Sequence, residues 1–435
     1  MTTFPTRAEV PVGLLVLLLL GGSGCVPSQT TETAEEGGET AQSPLRLAPQ
    51  DSRIRTVQLY QGSDERSFPV VPRQSSEALT LEFDLMEEQG RPVSVYFIHA
   101  DRQWRRDLSP NQVLESYQND RILDYQSSRG TQVPYVHYTY RFPNDDIRFR
   151  VSGNFILRVT KRGQRDSVLF EQPFFVTDEA GQLRVGAEGV PVVGQRQRSV
   201  RPVVEYSPPS ALRGDPFGYA VCFVQNGRLP DARCQDRPIL ARQPQLSFEL
   251  DRDRAFAPTT ANYSLDLGNL RSTNSIERLD RSTTPFEVLL APDYAAFSGQ
   301  DLADPLNGQI VVREAVDGRA NPEISAEYVE TTFAFVPPTK QPLSGDVSVS
   351  GSFSGMDPSR GTTMDWVSSR GRYEGRVLLK QGRYEYFYSG TDPQLQEAIR
   401  RAQPPTRSIY TTFVYYRDPS LGTDRLLRVG SVRQQ

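Results

Sequence analysis

The sequence predicts an all-β protein built of tandem sandwich domains, and three observations carry that expectation. Short runs alternate apolar and polar residues with the two-residue period of a half-buried strand, as in Leu79-Thr-Leu81-Glu-Phe83-Asp-Leu85. Long stretches of helical period are nearly absent. The 33 prolines and 32 glycines among 435 residues supply the turns that many short strands need. A chain of this length has room for roughly two to four domains, each burying its own core.

Composition narrows the function classes. Aromatic residues at 10% and a mean hydropathy of −0.50 describe a folded protein with polar loops. A net charge of −4 and a pI near 5.6 leave no basic footprint, so no nucleic-acid partner is expected. Lys161, Lys340 and Lys380 are the only lysines, and arginine carries the rest of the positive charge. Guanidinium favours bidentate contacts to carboxylates, although genomic base composition explains the skew most simply.

Residues 1–25 read as an export signal: Arg7 gives the charged region, Val10 to Leu20 the apolar run, and Gly21-Gly-Ser-Gly24 leads into Cys25. The apolar run is too short to span a bilayer as a helix. Small residues directly before Cys25 resemble a bacterial lipobox, with Gly22 where such boxes usually carry leucine. That resemblance implies a lipoprotein signal peptide, lipidation of Cys25 and an N-terminal lipid anchor. Residues 26–50 lack an apolar period and are rich in Ser, Thr, Glu and Gly, which predicts a disordered tether. Glu32, Glu35 and Glu36 come late for a surface-export signal, so the periplasmic face of the outer membrane is expected.

Residues 51–178 predict a first, immunoglobulin-like sandwich. Strands are expected at Ile54 to Tyr60, Leu79 to Leu85, Val93 to His99, Val136 to Phe142, Gly153 to Val159 and Phe174 to Val176. Between them, from His99 to Ile147, polar, turn-forming and aromatic residues are unusually dense, and both histidines and one of the two tryptophans lie there. His99, Asp101, Asp107 and His137 lack the tight His-x-His or Glu-x-x-His spacing of a metal site. No Gly-x-Ser-x-Gly elbow suggests a hydrolase. Asn144-Asp145-Asp146 fits a calcium loop less well than a turn capped by side-chain hydrogen bonds. No metal and no cofactor are expected, nor an enzyme. The stretch reads instead as a contact surface, in which Tyr117 and the residues His99, Asp101, Trp104, Asp107, Asn119, Asp120, Arg121, Asp124, Tyr125, His137, Asn144 and Asp145 bind a partner or support the loops that do.

Six motifs occur in order: Val57-Gln-Leu-Tyr60, His99-x-Asp101-x-x-Trp104, Asp107-Leu-Ser-Pro110, Asn119-Asp120-Arg121-Ile122-x-Asp124-Tyr125, His137-Tyr138 and Phe142-Pro-Asn-Asp-Asp-Ile147. Together they resemble the type IX secretion system plug protein family. The resemblance implies β-sandwich modules and a steric role. Members of that family close the periplasmic end of the outer-membrane translocon barrel when no substrate is passing. Its implied partners are that β-barrel and associated secretion components.

A second sandwich is expected over 195–335, with strands at Val200 to Tyr206, Tyr219 to Gln225, Gln245 to Leu250 and Pro285 to Ala291. Cys222 and Cys234, left in an exported chain and not spaced as Cys-x-x-Cys, suggest a hairpin-spanning disulfide. A third sandwich is expected over 341–435. There Gly351-Ser-Phe353 and Leu379-Lys-Gln-Gly382-x-Tyr384-x-Tyr386 resemble the early-set sandwiches that bind glycogen in other proteins. Ser354-Gly355-Met356 follows Phe353 without the tryptophan of a sugar platform, and Trp366 comes several residues later. The alternative function is therefore a polysaccharide-binding outer-membrane lipoprotein, which would need two or three coplanar exposed aromatics.

Overall fold

Alternation of apolar residues becomes pairing in the structure, a computed structural model that describes residues 45–434 apart from 192–198, 243, 257–262, 271–274, 295–304, 315–320, 338, 392–394, 397–398 and 400–406. The expected signal peptide with Cys25, and the tether before residue 45, lie outside the described residues. The fold is all-β. Among the described residues, α-helix is limited to two four-residue turns, Pro110–Val113 and Pro322–Ser325, and to Leu395, Gln396 and Ile399.

The first module runs through β1 (Ile54–Gln61), β2 (Val70–Pro72), β3 (Leu79–Leu85), β4 (Val93–Ala100), α1 (Pro110–Val113), β5 (Asn119–Ile122), β6 (Asp124–Ser127), β7 (Val136–Phe142), β8 (Gly153–Lys161) and β9 (Val168–Thr177). One sheet has the order β1-β3-β7-β6 and the other β2-β9-β8-β4-β5. Leu81, Phe83, Val95, Phe97, Phe142, Phe155, Leu157 and Phe174 interdigitate between them. Each such side chain contributes about 1.5–3 kcal/mol on burial. Phe142 and Phe174 meet edge to face with centroids 5.0 Å apart, a geometry the ring quadrupoles favour.

The remaining chain does not divide as expected at 335/341. Strand Tyr219–Gln225 pairs along its length with Ser408–Asp418, and Ser408–Asp418 with Thr423–Gln434. Opposite them lies the sheet of Gln182–Val190, Ser199–Ser207, Gln245–Glu249 and Ile239–Arg242. Val204, Phe223, Phe248, Tyr410, Val414 and Leu427 share one core between these sheets. The second module thus takes its first strands from 182–249 and its last from the C-terminal end. The third module is inserted between them, and its strands run from Tyr263–Asp266 to Gly382–Gly390. Local alternation cannot reveal this, because the period of a strand does not say which distant strand it pairs with. In the third module Thr362–Val367 pairs with Val347–Gly351 at its start and with Arg372–Lys380 at its end. That switch joins the layers of the module.

Cys222 and Cys234 face each other directly in the antiparallel register and are joined by a disulfide. The bond holds the three-residue strand Arg233–Gln235 to the sheet edge. By loop-closure entropy, replacing both cysteines with serine should lower stability by about 2–3 kcal/mol. Thermal unfolding of the variant, compared with the parent under reducing and oxidising conditions, checks this. A midpoint unchanged by both treatments would refute it.

Candidate functional site

The first module is covered on both outer faces. On β3, Leu79, Leu81, Phe83 and Leu85 point into the sandwich, so Thr80, Glu82 and Asp84 should meet solvent. Yet every residue of β3 is buried, because the third module packs over that face. Asp84 Oδ2 accepts hydrogen bonds from Lys380 Nζ and Tyr328 Oη, each at 2.7 Å. His137 Nδ1 lies 2.8 Å from Asp84 Oδ1, and Glu82 lies 3.8 Å from His137 Nε2. The Lys380 ammonium also stands 4.3 Å from the centroid of Tyr135, a favourable cation–π position. Lys380 is 1% exposed and Asp84 0%.

Burial opposes ionisation of Asp84, but the Lys380 charge and the His137 hydrogen bond hold its carboxyl below the usual carboxylate range. Burial alone would lower the His137 pKa, but its bonds to Asp84 and Glu82 carry it up to about 9. Further clamps join the same two modules: Thr56 Oγ1 to Tyr328 Oη at 2.6 Å, Gln58 Nε2 to the Ile310 carbonyl at 3.1 Å, and the Arg129 amide to the Ile324 carbonyl at 2.8 Å.

The outer face of the second sheet meets the second module. Phe175 packs on Phe413 at 4.5 Å between centroids, and Trp104 on Phe175 at 5.6 Å. Asn154 Oδ1 accepts from Tyr415 Oη at 2.7 Å. Asp178 gathers Arg73, Arg425 and Ser152. His99 is fully buried, with Nδ1 2.7 Å from Asp107 Oδ1, and the other Asp107 oxygen accepts from Thr423. The carboxylate therefore stands between imidazole and hydroxyl, so His99 has no nucleophile to deprotonate. A side chain at Gly153 (φ +154°) would place a Cβ 2.3 Å from His99 Nε2, which is why glycine is required there.

These positions correct part of the expected contact surface. His99, Asp101, Trp104 and His137 are buried and brace modules or loops, so they do not meet an outside partner. Asp101 caps its own loop, accepting from the Gln103 and Arg105 amides. Asp120 accepts from Tyr140 Oη at 2.8 Å and Asn144 Nδ2 at 3.2 Å. Asn144 Oδ1 caps the turn at the Asp146 and Ile147 amides, the capped-turn geometry expected of that run. Tyr125 is half-buried against Tyr138.

Apart from Asp107, which is exposed beside His99, what remains exposed of the expected surface is one corner: Tyr117, Asn119, Arg121 and Asp124, joined by Leu123, with Asp145 on the capped turn that Asp120 and Asn144 tie to it. There β5 is the edge of one sheet and β6 the edge of the other, so the chain changes sheets at Leu123. Tyr117 and Leu123 are each 65% exposed, beside two strand edges whose outer backbone groups lack a sheet neighbour. Leu123 was legible in one respect. Consecutive Ile122-Leu123 breaks the alternation, so one of them must face outward. Lys380, a rare lysine in an arginine-rich chain, was the missed signal for the buried junction.

The family described as type 9 secretion system plug protein, first domain, matches residues 54–178, which span β1 to the end of β9. A crystal structure of a hypothetical protein from Parabacteroides merdae ATCC 43184 superposes with a TM-score of 0.79 at 22% identity, covering 90% of this chain and 100% of that one. That likeness extends the shared fold over all three modules. No curated protein matches the chain. By its first folded region, residues 54–178, the chain is similar to the first domain of type 9 secretion system plug proteins.

Proposed function

We propose that this protein is a non-enzymatic plug subunit of the type IX secretion system, sealing the periplasmic end of the translocon barrel while no substrate passes. The observation that carries the proposal is the plug first-domain match over residues 54–178. The mechanism is steric. The first module is braced by the third module on one sheet and by the second on the other, so its exposed corner is presented by a rigid body. Tyr117 and Leu123 supply the apolar anchors there, with Asn119, Arg121 and Asp124 as a polar rim. Lipidation at Cys25 would hold the protein at the periplasmic face of the outer membrane and raise its local concentration at the barrel mouth. The exposed Tyr117, Phe217 and Tyr294 stand one on each module, and Trp366 packs on Tyr373, so no observation favours a sugar platform.

The test is affinity purification of the tagged chain from native outer membranes, with mass spectrometry of what accompanies it. A very large β-barrel should be recovered with the parent and reduced roughly tenfold or more by Tyr117→Ala with Leu123→Ala, since two anchors at about 1–2 kcal/mol each dominate such an interface. Both positions are exposed, so the variant should unfold at the parent's temperature. Recovery of other envelope components and no large barrel would overturn the proposal. Undiminished barrel recovery with the variant would displace the surface from this corner.

A further inference from the structure

A cleft of about 530 Å³ opens where the three modules meet. One wall comes from the segment entering the first module, through Leu45 and Leu47, and from Phe68. The opposite wall is the Phe353 to Met356 turn of the third module. Leu229 of the second module also contributes. The volume is within the range of pockets that hold small ligands or peptide anchors.

Arginines outnumber carboxylates in the cleft, whose two acids are Asp51, held by Arg53, and Asp357. Arg55 on β1, Arg360 after the turn and Arg376 on strand Arg372–Lys380 all line it. Among the described residues none of the three has a carboxylate within ion-pair distance, whereas most arginines at the other module junctions do, as with Arg102, Arg73 and Arg425. Glu330 acts on Arg55 and Arg376 only through its longer-range charge. Arg360 is the most telling. It is half-buried, and its Nη2 donates at 2.9 Å to the neutral Gln50 Oε1. Gln50 is turned that way because its Nε2 donates to the Ile54 carbonyl at 2.8 Å. The nearby Asp357 carboxylate is committed to the Ser359 amide and hydroxyl. A desolvated guanidinium with only a neutral acceptor is costly unless an anion arrives.

We propose that this cleft binds an acidic peptide segment of a partner protein, with carboxylates on Arg360 and its neighbours and apolar side chains against Leu45, Leu47, Phe68 and Phe353. An extended chain alternates its side chains, which suits a site where cations from three separate elements are interleaved with apolar walls. A compact anion would use the charges and leave the apolar wall idle. This site is separate from the exposed corner of the first module and does not depend on the plug function.

The test uses the full chain and a fluorescein-labelled peptide of alternating leucine and glutamate, followed by anisotropy. Saturable binding is expected, weakened by added salt and absent with the leucine–glutamine counterpart. Arg360→Gln should weaken it roughly tenfold or more, the loss of a charged hydrogen bond. Arg376→Gln, at an exposed position whose loss leaves packing intact, should weaken it to a lesser degree. No saturable binding, or equal binding by both variants and the parent, would overturn the inference. Citrate displacing the peptide at peptide-like concentrations would overturn it too, in favour of a site for small anions.

Discussion

Replacing Lys380 with methionine should destabilise the protein by about 3–5 kcal/mol, the usual cost of breaking a buried ion pair from one side. The substitution leaves Asp84, itself without exposed surface, facing Tyr328 and His137 with no cation from the third module. The loss arises from a buried carboxylate left with the His137 imidazolium as its remaining cation, more than from the missing bond. Pairing Lys380→Met with Asp84→Leu should therefore recover part of it, since the buried anion goes with its cation while His137 keeps Glu82 and Tyr328 keeps Thr56. A double-mutant cycle followed by thermal or urea unfolding reads both effects. A single variant within about 1 kcal/mol of the parent would refute the account, as would a double variant no better than the single one. Because Lys380 and Asp84 belong to different modules, limited proteolysis should also find the first and third modules less protected in the single variant.

Raising the pH from 6.5 to 9 should remove about 3 kcal/mol of stability through His137, since each pH unit separating the folded from the unfolded pKa is worth about 1.4 kcal/mol. In the folded chain burial works against the imidazolium, but Asp84 and Glu82 hold its proton up to about 9, against 6.5 when unfolded. The contribution is therefore complete below pH 6.5 and is lost as the pH climbs through about 9. Glu65 acts in the same sense at lower pH. Burial and the charge of Glu82 raise its pKa from 4.5 to about 7, so the folded state favours its neutral form, and stability falls as pH rises across that window. Melting temperatures at pH 6 and pH 9 for the parent and His137→Gln check the first effect. The parent should melt lower at pH 9, and the difference should shrink in the variant. A parent that is equally or more stable at pH 9 would contradict it.

Strand Leu79–Leu85 shows how far its residues speak for themselves. Alternation identifies it as a strand and assigns Leu79, Leu81, Phe83 and Leu85 to the sandwich core. It also assigns Glu82 and Asp84 to solvent, and the third module reverses that by covering them. The contact stretch behaves likewise. The density of turn formers and aromatics between His99 and Ile147 marks a specialised region. Composition does not separate His99, Asp101, Trp104 and His137, which lock modules together, from Tyr117, Arg121 and Leu123, which face outward. Polar residues at a junction and polar residues in water carry the same pattern when they are hydrogen-bonded.

The all-β class, most strand positions, the capped turn at Asn144 and the likeness of the first region to the plug family follow from the order of amino acids alone. These rest on local physics: a two-residue period, turn chemistry and short motifs in order. Long-range packing decided the rest. It placed the third module within the second, buried Lys380 against Asp84, exposed the corner where β5 passes into β6, and lined the junction cleft with arginines that have no ion pair among the described residues. All four depend on which strands pair and which faces are covered. Residues far apart in the chain set those pairings, and no local period encodes them.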